Sequence, residues 1–308
     1  MQSMIEDKKR FWDNKYFKLS IRVAYYLFMI GVLWRIYSHR SPPSGPITYT
    51  DDGKSVTIID ISLFMENEDY VIPATIDNMP VTSIGSNAFH RQTNLTSITI
   101  PSSITRIGDN AFADCTRLTS ITIQASGISI GDGAFSGCKS LTTVTIPAGT
   151  SSIGKGAFSR CTGLTNFAIP IGVTRIEDAT FYDCTYLNSI TIPSSVNSIG
   201  SEAFYSCVNL KSITIPGSVT SIEKGAFYGC TRITHIKIPS SVTSIGDTAF
   251  QHCMALTTAY FTGNAPIMGK KAFDGTASNF TVYYHGDKTG FTSPKWEGYT
   301  AGKMDDSK

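Results

Sequence analysis

Phenylalanine recurs every 23 residues over most of this sequence, at positions 89, 112, 135, 158, 181, 204, 227, 250 and 273. All seven cysteines follow the same period, each three residues after a phenylalanine: Cys115, Cys138, Cys161, Cys184, Cys207, Cys230 and Cys253. A fixed spacing held over nine copies is the sequence signature of a solenoid, in which each repeat forms one coil stacked on its neighbours. The period therefore predicts one solenoid of nine coils, instead of the two domains that 308 residues would ordinarily form.

The copy from Leu187 to Cys207 shows what one coil is expected to contain. Ile190 and Ile192 flank a threonine, which is the alternation of a β-strand with one buried face. Pro193 has no N–H to donate to a sheet, so the strand is predicted to end there. Three further apolar residues are predicted to share one side of a short helical turn: Ala203, Phe204 and Cys207. One coil cannot bury this apolar surface alone, and stacking closes the core.

The two ends and several single positions depart from the repeat. Residues 47–72 are predicted to form two strands around the hairpin turn Asp52-Gly53, and residues 280–284 to form a closing strand. Gln92 and Thr276 replace cysteine in the first and last coils, where polar residues are expected to meet solvent. Other departures are predicted to disturb the packing of single coils only: Gly127, Phe167, Glu177, Thr180, Glu223 and Ile233.

The repeat carries a family resemblance. Residues 210–230 read LKSITIPGSVTSIEKGAFYGC, which closely resembles the BspA-type leucine-rich repeat of bacterial surface antigens. The resemblance extends over about residues 47–301 and includes runs similar to that family's N- and C-terminal caps. It implies a leucine-rich-repeat solenoid, rich in parallel strands with short helical turns, and a role in adhesion to host or neighbouring-cell proteins. Fold alone does not establish that role.

The residue types that perform catalysis are present without the arrangement that catalysis needs. Seven cysteines in a straight row do not converge on a metal ion, and small thiols filling the core are the simpler interpretation. The histidines fall at different repeat positions, and no nucleophile elbow or phosphate-binding loop is present. We therefore predict no enzyme, no cofactor and no small-molecule substrate. The net charge of +2 argues against a nucleic-acid binder.

A binding surface is the more promising prediction. The residues expected to point outward from each strand are mostly serine and threonine, from Ser97 and Thr99 in one repeat to Ser212 and Thr214 in another. Only the C-terminal repeats change, to His235, Lys237 and Tyr260. Tyrosine and basic groups are typical anchors of protein interfaces, so these three are the candidate ligand residues. The alternative is that they merely tolerate exposure. No face of the repeat region is expected to carry charge of a single sign.

The N-terminal region differs from the repeats. Residues 1–46 contain eight basic and three acidic residues, a net charge of +5, which leaves −3 for the rest. Within the basic N-terminus (residues 1–40), residues 19–37 form an apolar stretch that would span about 28 Å as a helix. The positive-inside rule then predicts a signal anchor with the solenoid outside the cell. A cleaved signal, giving a secreted protein, and a soluble or interfacial helix remain alternatives.

These observations lead to one leading functional prediction. Residues 41–46 are a Pro/Ser/Gly linker, residues 47–301 the capped solenoid and residues 302–308 a tail. The whole is predicted to be a non-catalytic, membrane-anchored, surface-displayed module that binds proteins. An intracellular or periplasmic interaction scaffold that uses the same face is the alternative.

Overall fold

A computed structural model describes residues 47–61 and 69–304 of the chain. The predicted membrane segment 19–37 and the linker 41–46 lie outside these residues. In chain order the strands are β1 (Ile47–Asp51), β2 (Val56–Ile61), β3 (Asp69–Val71), β4 (Thr75–Ile76), β5 (Met79–Ile84), β6 (Ser97–Ile100), β7 (Arg106–Ile107), β8 (Ser120–Ile123), β9 (Ser129–Ile130), β10 (Thr143–Val144), β11 (Ser152–Ile153), β12 (Asn166–Ala168), β13 (Arg175–Ile176), β14 (Ser189–Thr191), β15 (Ser198–Ile199), β16 (Ser221–Ile222), β17 (His235–Ile238), β18 (Ser244–Ile245), β19 (Thr258–Phe261), β20 (Ile267–Met268), β21 (Thr281–His285), β22 (Lys295–Trp296) and β23 (Tyr299–Met304).

The strands form a parallel β-solenoid, as the 23-residue period predicts, but with about eleven turns instead of nine, because parallel pairing continues through β2 at one end and β23 at the other. We number the coils by their phenylalanines, so that coil 1 contains Phe89 and coil 9 contains Phe273. Most coils have a strand of two to four residues on one side, here called the long-strand face, and a two-residue strand on a second face; the equivalent segment of coil 7 is not a strand. Adjacent parallel strands pair residues 23 apart, as Ser198 does with Ser221. At the N-terminal end, β1 and β2 pair antiparallel around the Asp52-Gly53 turn.

The core is a row of aromatic rings that runs through all nine coils. Each of the nine phenylalanines is at most 1% exposed. Rings of successive coils are stacked with centroids 4.7 to 5.9 Å apart. The alanine before each ring and the cysteine after it are buried beside it, as with Ala203 and Cys207. Because every ring contacts the next, each coil completes the core of its neighbour.

The third side of the solenoid, here called the turn side, runs from the end of each short strand to the cysteine position. The predicted helical turn is wrong: the described residues contain no helix, and this segment is a run of hydrogen-bonded turns. Alternate amide groups bond to the next coil, and those between them bond within the turn, as His90 does to Asn87. The N–H of Phe89 donates to the carbonyl of Ala111 at 2.7 Å, and those of Asn87 and Arg91 donate to Asp109 and Ala113.

Two residues in every coil adopt a positive φ on this side, and they explain why no helix forms. They lie two residues before and two residues after the phenylalanine, with φ between 53° and 74°. Twelve of these eighteen residues are not glycine, although such residues rarely adopt this conformation. The left-handed conformation interrupts a right-handed helix and turns alternate N–H groups along the solenoid axis. The bonds that these groups make to the next coil offset the conformational cost.

Among the described residues, both strand ladders are interrupted together at the junction between coils 4 and 5, and the long-strand ladder is interrupted again at coil 7. The short-strand sheet ends at β11 and restarts at β13, and the long-strand sheet ends at β10 and restarts at β12. Phe167 occupies a position that is isoleucine in most coils and packs edge-on against Phe158 and Phe181, at 4.9 and 4.8 Å. Those two rings are 5.9 Å apart, the widest spacing in the row. The larger side chain therefore separates the two coils, while the turn side keeps its bonds, as from Phe158 to Thr180.

The two glutamates that replace glycine belong to one ion-pair network. At the other positions of this type a side chain would meet the preceding coil, since a Cβ on Gly269 would lie 2.2 Å from the amide nitrogen of Asp247. Glu177 and Glu223 project outward and hold Arg175 between them, with N···O distances of 3.1 and 2.9 Å. Arg175 reaches past coil 6, which keeps glycine at this position.

The predicted exposure of the terminal polar residues is half right. Thr276 in coil 9 is partly exposed, whereas Gln92 in coil 1 is only 6% exposed. The Gln92 side-chain amide donates to the carbonyl of Ile61 in β2, 3.2 Å away. Gln92 therefore joins coil 1 to the N-terminal hairpin and is not a solvent contact. Within residues 47–61 and 69–304, no helix has the length and apolar character needed to cross a membrane.

The coil 4–coil 5 junction generates a prediction for amide hydrogen exchange. The Glu223 N–H donates to the carbonyl of Ile199 at 2.9 Å, but no such bond joins Glu177 to coil 4 among the described residues. We expect the Glu177 amide to exchange at least tenfold faster than that of Glu223, its equivalent two coils later. Exchange measured by NMR at neutral pH provides the comparison. Equal protection of the two amides would contradict an open junction.

The ion-pair network generates a second prediction. Replacing Arg175 by alanine leaves two carboxylates facing each other, and we expect unfolding to become easier by about 1 kcal/mol, since the group is only partly buried. Arg106→Ala is the matched control, because Arg106 occupies the same position in coil 2. Its effect should stay within about 0.5 kcal/mol. Urea unfolding of both variants tests this, and equal effects would refute the role of the network.

Candidate functional site

The long-strand face is built from strands whose inward residues are apolar and whose outward residues are polar. In β8, Ile121 is buried while Ser120 and Thr122 are exposed, and coils 6 and 7 repeat the pattern. Because the register keeps equivalent residues side by side, the outward residues form two parallel rows along the solenoid. The predicted surface of small hydroxyl residues is therefore present.

A third row of hydroxyl groups forms hydrogen bonds between neighbouring coils. Threonines just after the conserved leucine position bond to the carbonyl 23 residues earlier, as Thr119 does to Thr96 at 2.9 Å and Thr257 does to Thr234 at 3.0 Å. Serines after the proline bond to the preceding coil in a similar way, as Ser218 does to Val196 at 2.6 Å. These hydroxyls stabilise the stack of coils, although the threonines of this row are also partly or fully exposed.

The three candidate ligand residues lie on neighbouring strands of this face. Lys237 in β17 pairs with Tyr260 in β19, so their side chains are adjacent in the same outward row. His235 pairs with Thr258 and lies in the other outward row. All three are exposed, Tyr260 by 38%. The structure thus brings Lys237 and Tyr260 side by side and sets His235 two residues away along β17.

One aromatic residue of this cluster was missed by the sequence analysis. Tyr283 in β21 pairs with Tyr260, and their rings stack with centroids 5.7 Å apart. On its other side, the Tyr283 ring lies 3.6 Å from the position that a Cβ on Gly302 would take. The signal was present, because Tyr283 follows Tyr260 by 23 residues. The 23-residue period therefore continues beyond the last phenylalanine, into the strand predicted to close the solenoid.

Charge is distributed very unevenly around the solenoid. Between residues 93 and 286 every aspartate and glutamate lies on the turn side: Asp109, Asp114, Asp132, Glu177, Asp178, Asp183, Glu202, Glu223, Asp247 and Asp274. The long-strand segments of the same region contain five lysines and arginines and no carboxylate: Arg117, Lys139, Lys211, Arg232 and Lys237. The expectation that no face has charge of a single sign is wrong. The repeat places each residue type on one side of the coil, and a charge total over the chain cannot reveal this.

The cysteines form a buried row that is closed to chemistry. Each thiol donates to the carbonyl of the phenylalanine one coil back, with S···O distances of 3.0 to 3.2 Å. Burial raises the pKa of Cys161 to about 12, so its thiol stays protonated and unreactive at neutral pH. In the described part of the chain, no group of His, Cys, Asp or Glu side chains is arranged to hold a metal ion.

The family is decided by the repeat itself. The model of the BspA type leucine rich repeat region matches in six copies, over residues 82–178 and 151–279. The chain belongs to the BspA-type leucine-rich-repeat family. This makes it a protein-interaction module, and no enzyme family is indicated. Comparison with curated proteins found no match.

Solved structures of similar proteins come from bacteria. A leucine rich cell surface protein from Faecalibacterium prausnitzii A2-165 is 25% identical, with a TM-score of 0.50, over 82% of this chain and 92% of that one. The Leucine Rich Repeat protein of T. pallidum is 28% identical, with a TM-score of 0.44, over 56% of this chain and 91% of that one. The first of these shares the solenoid over most of the BspA-type repeat region.

The buried thiols generate a prediction of pH dependence. Burial raises the pKa of Cys161 and Cys253 from an ordinary value near 9 to about 12. The folded chain therefore keeps protons that the unfolded chain releases, so stability should be level below pH 9 and fall as the pH rises toward 12. Each thiol contributes roughly 1.4 kcal/mol per pH unit in that window.

A single substitution isolates this effect. Cys161→Ala removes one such thiol, so its stability should fall less steeply than that of the parent chain between pH 9 and 11. Urea unfolding in the presence of a reductant, repeated across that range, measures both slopes. If the variant and the parent lose stability in parallel, the thiol is not the titrating group.

Proposed function

We propose that this chain is an externally displayed adhesion module, held to the membrane by residues 19–37, that binds another protein through the long-strand face. The observation that carries the proposal is the flat double row of exposed hydroxyl residues that ends in the exposed cluster of His235, Lys237 and Tyr260. Solenoid faces of this kind offer extended binding surfaces. Tyrosine and basic residues are enriched where interfaces gain most of their energy.

The location outside the cell rests on two observations. The F. prausnitzii neighbour is described as a cell surface protein. In this chain, residues 23–34 are twelve uncharged residues preceded by six lysines and arginines between residues 8 and 22. By the positive-inside rule, that excess keeps the N-terminus in the cytoplasm and directs the solenoid outward. The linker 41–46 would then separate the membrane from the repeats.

The membrane anchor can be tested with charges placed inside the apolar segment. In a bacterial host we expect the full chain to sediment with membranes and to be labelled on intact cells by an impermeant amine reagent. Leu27→Arg with Ile30→Arg should abolish membrane retention, because each charge costs roughly 3 kcal/mol at a helix centre. Ser3→Arg with Ser38→Arg adds the same charge outside the apolar stretch and should leave retention unchanged.

The mass of the recovered protein separates the alternatives. An intact chain in the membrane supports the anchor, and a shortened chain in the medium supports a cleaved signal. Recovery of the intact parent chain in the cytosol would overturn external display and favour the scaffold interpretation.

The binding face can be tested with matched variants. We expect the full chain, in a non-ionic detergent, to bind at least one member of an array of purified secreted and surface proteins. Alanine at His235, Lys237 and Tyr260 together should weaken that binding at least tenfold. Alanine at His90, Lys224 and Tyr182 removes the same three residue types from the turn side and should change it less than twofold. Equal losses in both variants, or no bound protein at all, would overturn the proposal.

A further inference from the structure

The charge distribution indicates what kind of protein the long-strand face accepts. We infer that the partner contributes an acidic segment whose carboxylates lie over coils 7 and 8, an inference that rests on the proposed function. The segment would bind a basic patch, which we define as Lys211, Arg232, His235 and Lys237. All four side chains are exposed. The inference deepens the proposed function by giving the partner a chemistry and a position.

The basic patch lacks the acidic neighbours that several cations of the turn and short-strand sides have. On the turn and short-strand sides, Lys155 lies 3.1 Å from Asp178, Arg91 lies 3.8 Å from Asp114, and Arg175 is held by two glutamates. Among the described residues, no carboxylate lies within ion-pair distance of any of the four patch residues. Because the long-strand segments between residues 93 and 286 contain four neighbouring basic side chains here and no carboxylate, an external carboxylate is the natural complement of this patch.

The spacing of the patch suits an extended acidic segment. Arg232 lies in the turn before β17 and Lys237 lies five residues later within that strand, at most about 17 Å away along the chain. Lys211 lies on the adjacent coil, at the position equivalent to Thr234. Carboxylates on one side of an extended segment are about 7 Å apart, so two or three of them fit along this length. The Arg232 guanidinium also donates to Asn209 at 2.9 Å, which holds it in place for a second acceptor.

The tyrosines beside the patch favour an anionic protein over a sugar. Tyr260 and Tyr283 stack face to face on adjacent strands, 5.7 Å apart with planes inclined by 21°. The stacking covers one face of each ring, and the other side of the Tyr283 ring lies against Gly302 of the next strand. A sugar ring would need an exposed aromatic face. The edge of an aromatic ring is its positive part, which complements a carboxylate.

The inference is tested with defined peptides on the full chain in non-ionic detergent. The probe is a fluorescein-labelled 16-residue peptide of alternating glutamate and serine, and the neutral control replaces every glutamate with glutamine. We expect the acidic probe to bind by fluorescence anisotropy, the neutral one not to bind, and binding to weaken at least tenfold between about 50 and 500 mM NaCl. Heparin serves as the anionic-glycan comparison.

Two variants with the same change in net charge locate the probe. K211Q/R232Q/K237Q should weaken binding at least thirtyfold, while K224Q/K270Q/K271Q, which alters exposed lysines of the turn side, should change it less than threefold. Zero-length carbodiimide coupling then joins probe glutamates to the lysines they touch. We expect cross-links at Lys211 and Lys237 and none at Lys224 or Lys270. The positions of the cross-links also show whether the probe binds the patch or the lysines of the basic N-terminus.

The outcomes distinguish this inference from the proposed function. Equal losses in the two variants, cross-links confined to the N-terminal lysines, or binding of heparin without binding of the acidic peptide would each overturn the acidic partner. In that case, loss of binding to an arrayed protein in the variant with alanine at His235, Lys237 and Tyr260 would still support the binding face, and only the acidic character of the partner would be refuted. If the peptide bound the patch but no arrayed protein bound the long-strand face, the patch would be confirmed as a site for acidic peptides and the proposed adhesion function would be refuted.

Discussion

The structure depends on the backbone hydrogen bonds that each coil makes to the next on its turn side. In every coil but the last, the amides at the phenylalanine and two residues to either side of it donate to carbonyls of the following coil. This requires a left-handed residue at two positions per coil, including Thr248 and Glu202, which would ordinarily avoid that conformation. Side chains at these positions vary, but the backbone conformation does not. The phenylalanine between them is thereby held in line with the ring of the next coil.

The coil 4–coil 5 junction shows which of the three sides tolerates change. Phe167 separates the two coils far enough to interrupt both sheets, yet the turn-side bonds from Gly156 and Arg160 to coil 5 persist at 2.9 and 2.7 Å. Nearby, Thr150 places a hydroxyl with no hydrogen-bond partner in the core of coil 4. The large side chain of Phe167, the interrupted sheets and the unpartnered Thr150 hydroxyl thus occur in one region without ending the solenoid. The turn side therefore holds the coils together where the sheets do not.

The sequence predicts the features that follow from periodicity and misses those that depend on the neighbouring coil. The period correctly predicts the solenoid, the buried phenylalanines and the outward position of Lys237. A helical turn was expected because Ala203, Phe204 and Cys207 have helical spacing. The same spacing arises in a turn whose amides bond elsewhere, and only the stacked coil supplies those acceptors. Gln92 was misplaced for the same reason, since its partner Ile61 lies 31 residues away.

The candidate site likewise has features that the repeat pattern predicts and features that it conceals. The change from hydroxyl residues to His235, Lys237 and Tyr260 is visible along the repeat, and the stacking of Tyr283 on Tyr260 follows from the period once it is extended. The absence of carboxylates from the long-strand segments between residues 93 and 286 can be seen only when residues are grouped by their side of the coil. The net charge of −3 for the repeats averages an acidic turn side with a basic strand face, and so conceals the property most relevant to binding.

The hydrogen bonds between coils also have a direction. On the turn side each coil donates to the next, whereas near the short strands each coil accepts from the next, as Ile176 does from Gly200. The two ends are therefore chemically different, and the last coil needs an acceptor that no further coil supplies. The hydroxyl of Tyr299 accepts from the Phe273 amide at 3.1 Å and supplies an acceptor for the central one of the three donating amides. A solenoid built in this way can gain or lose whole coils of 23 residues from its middle while both ends remain satisfied, so its length can change by duplication without a new terminus.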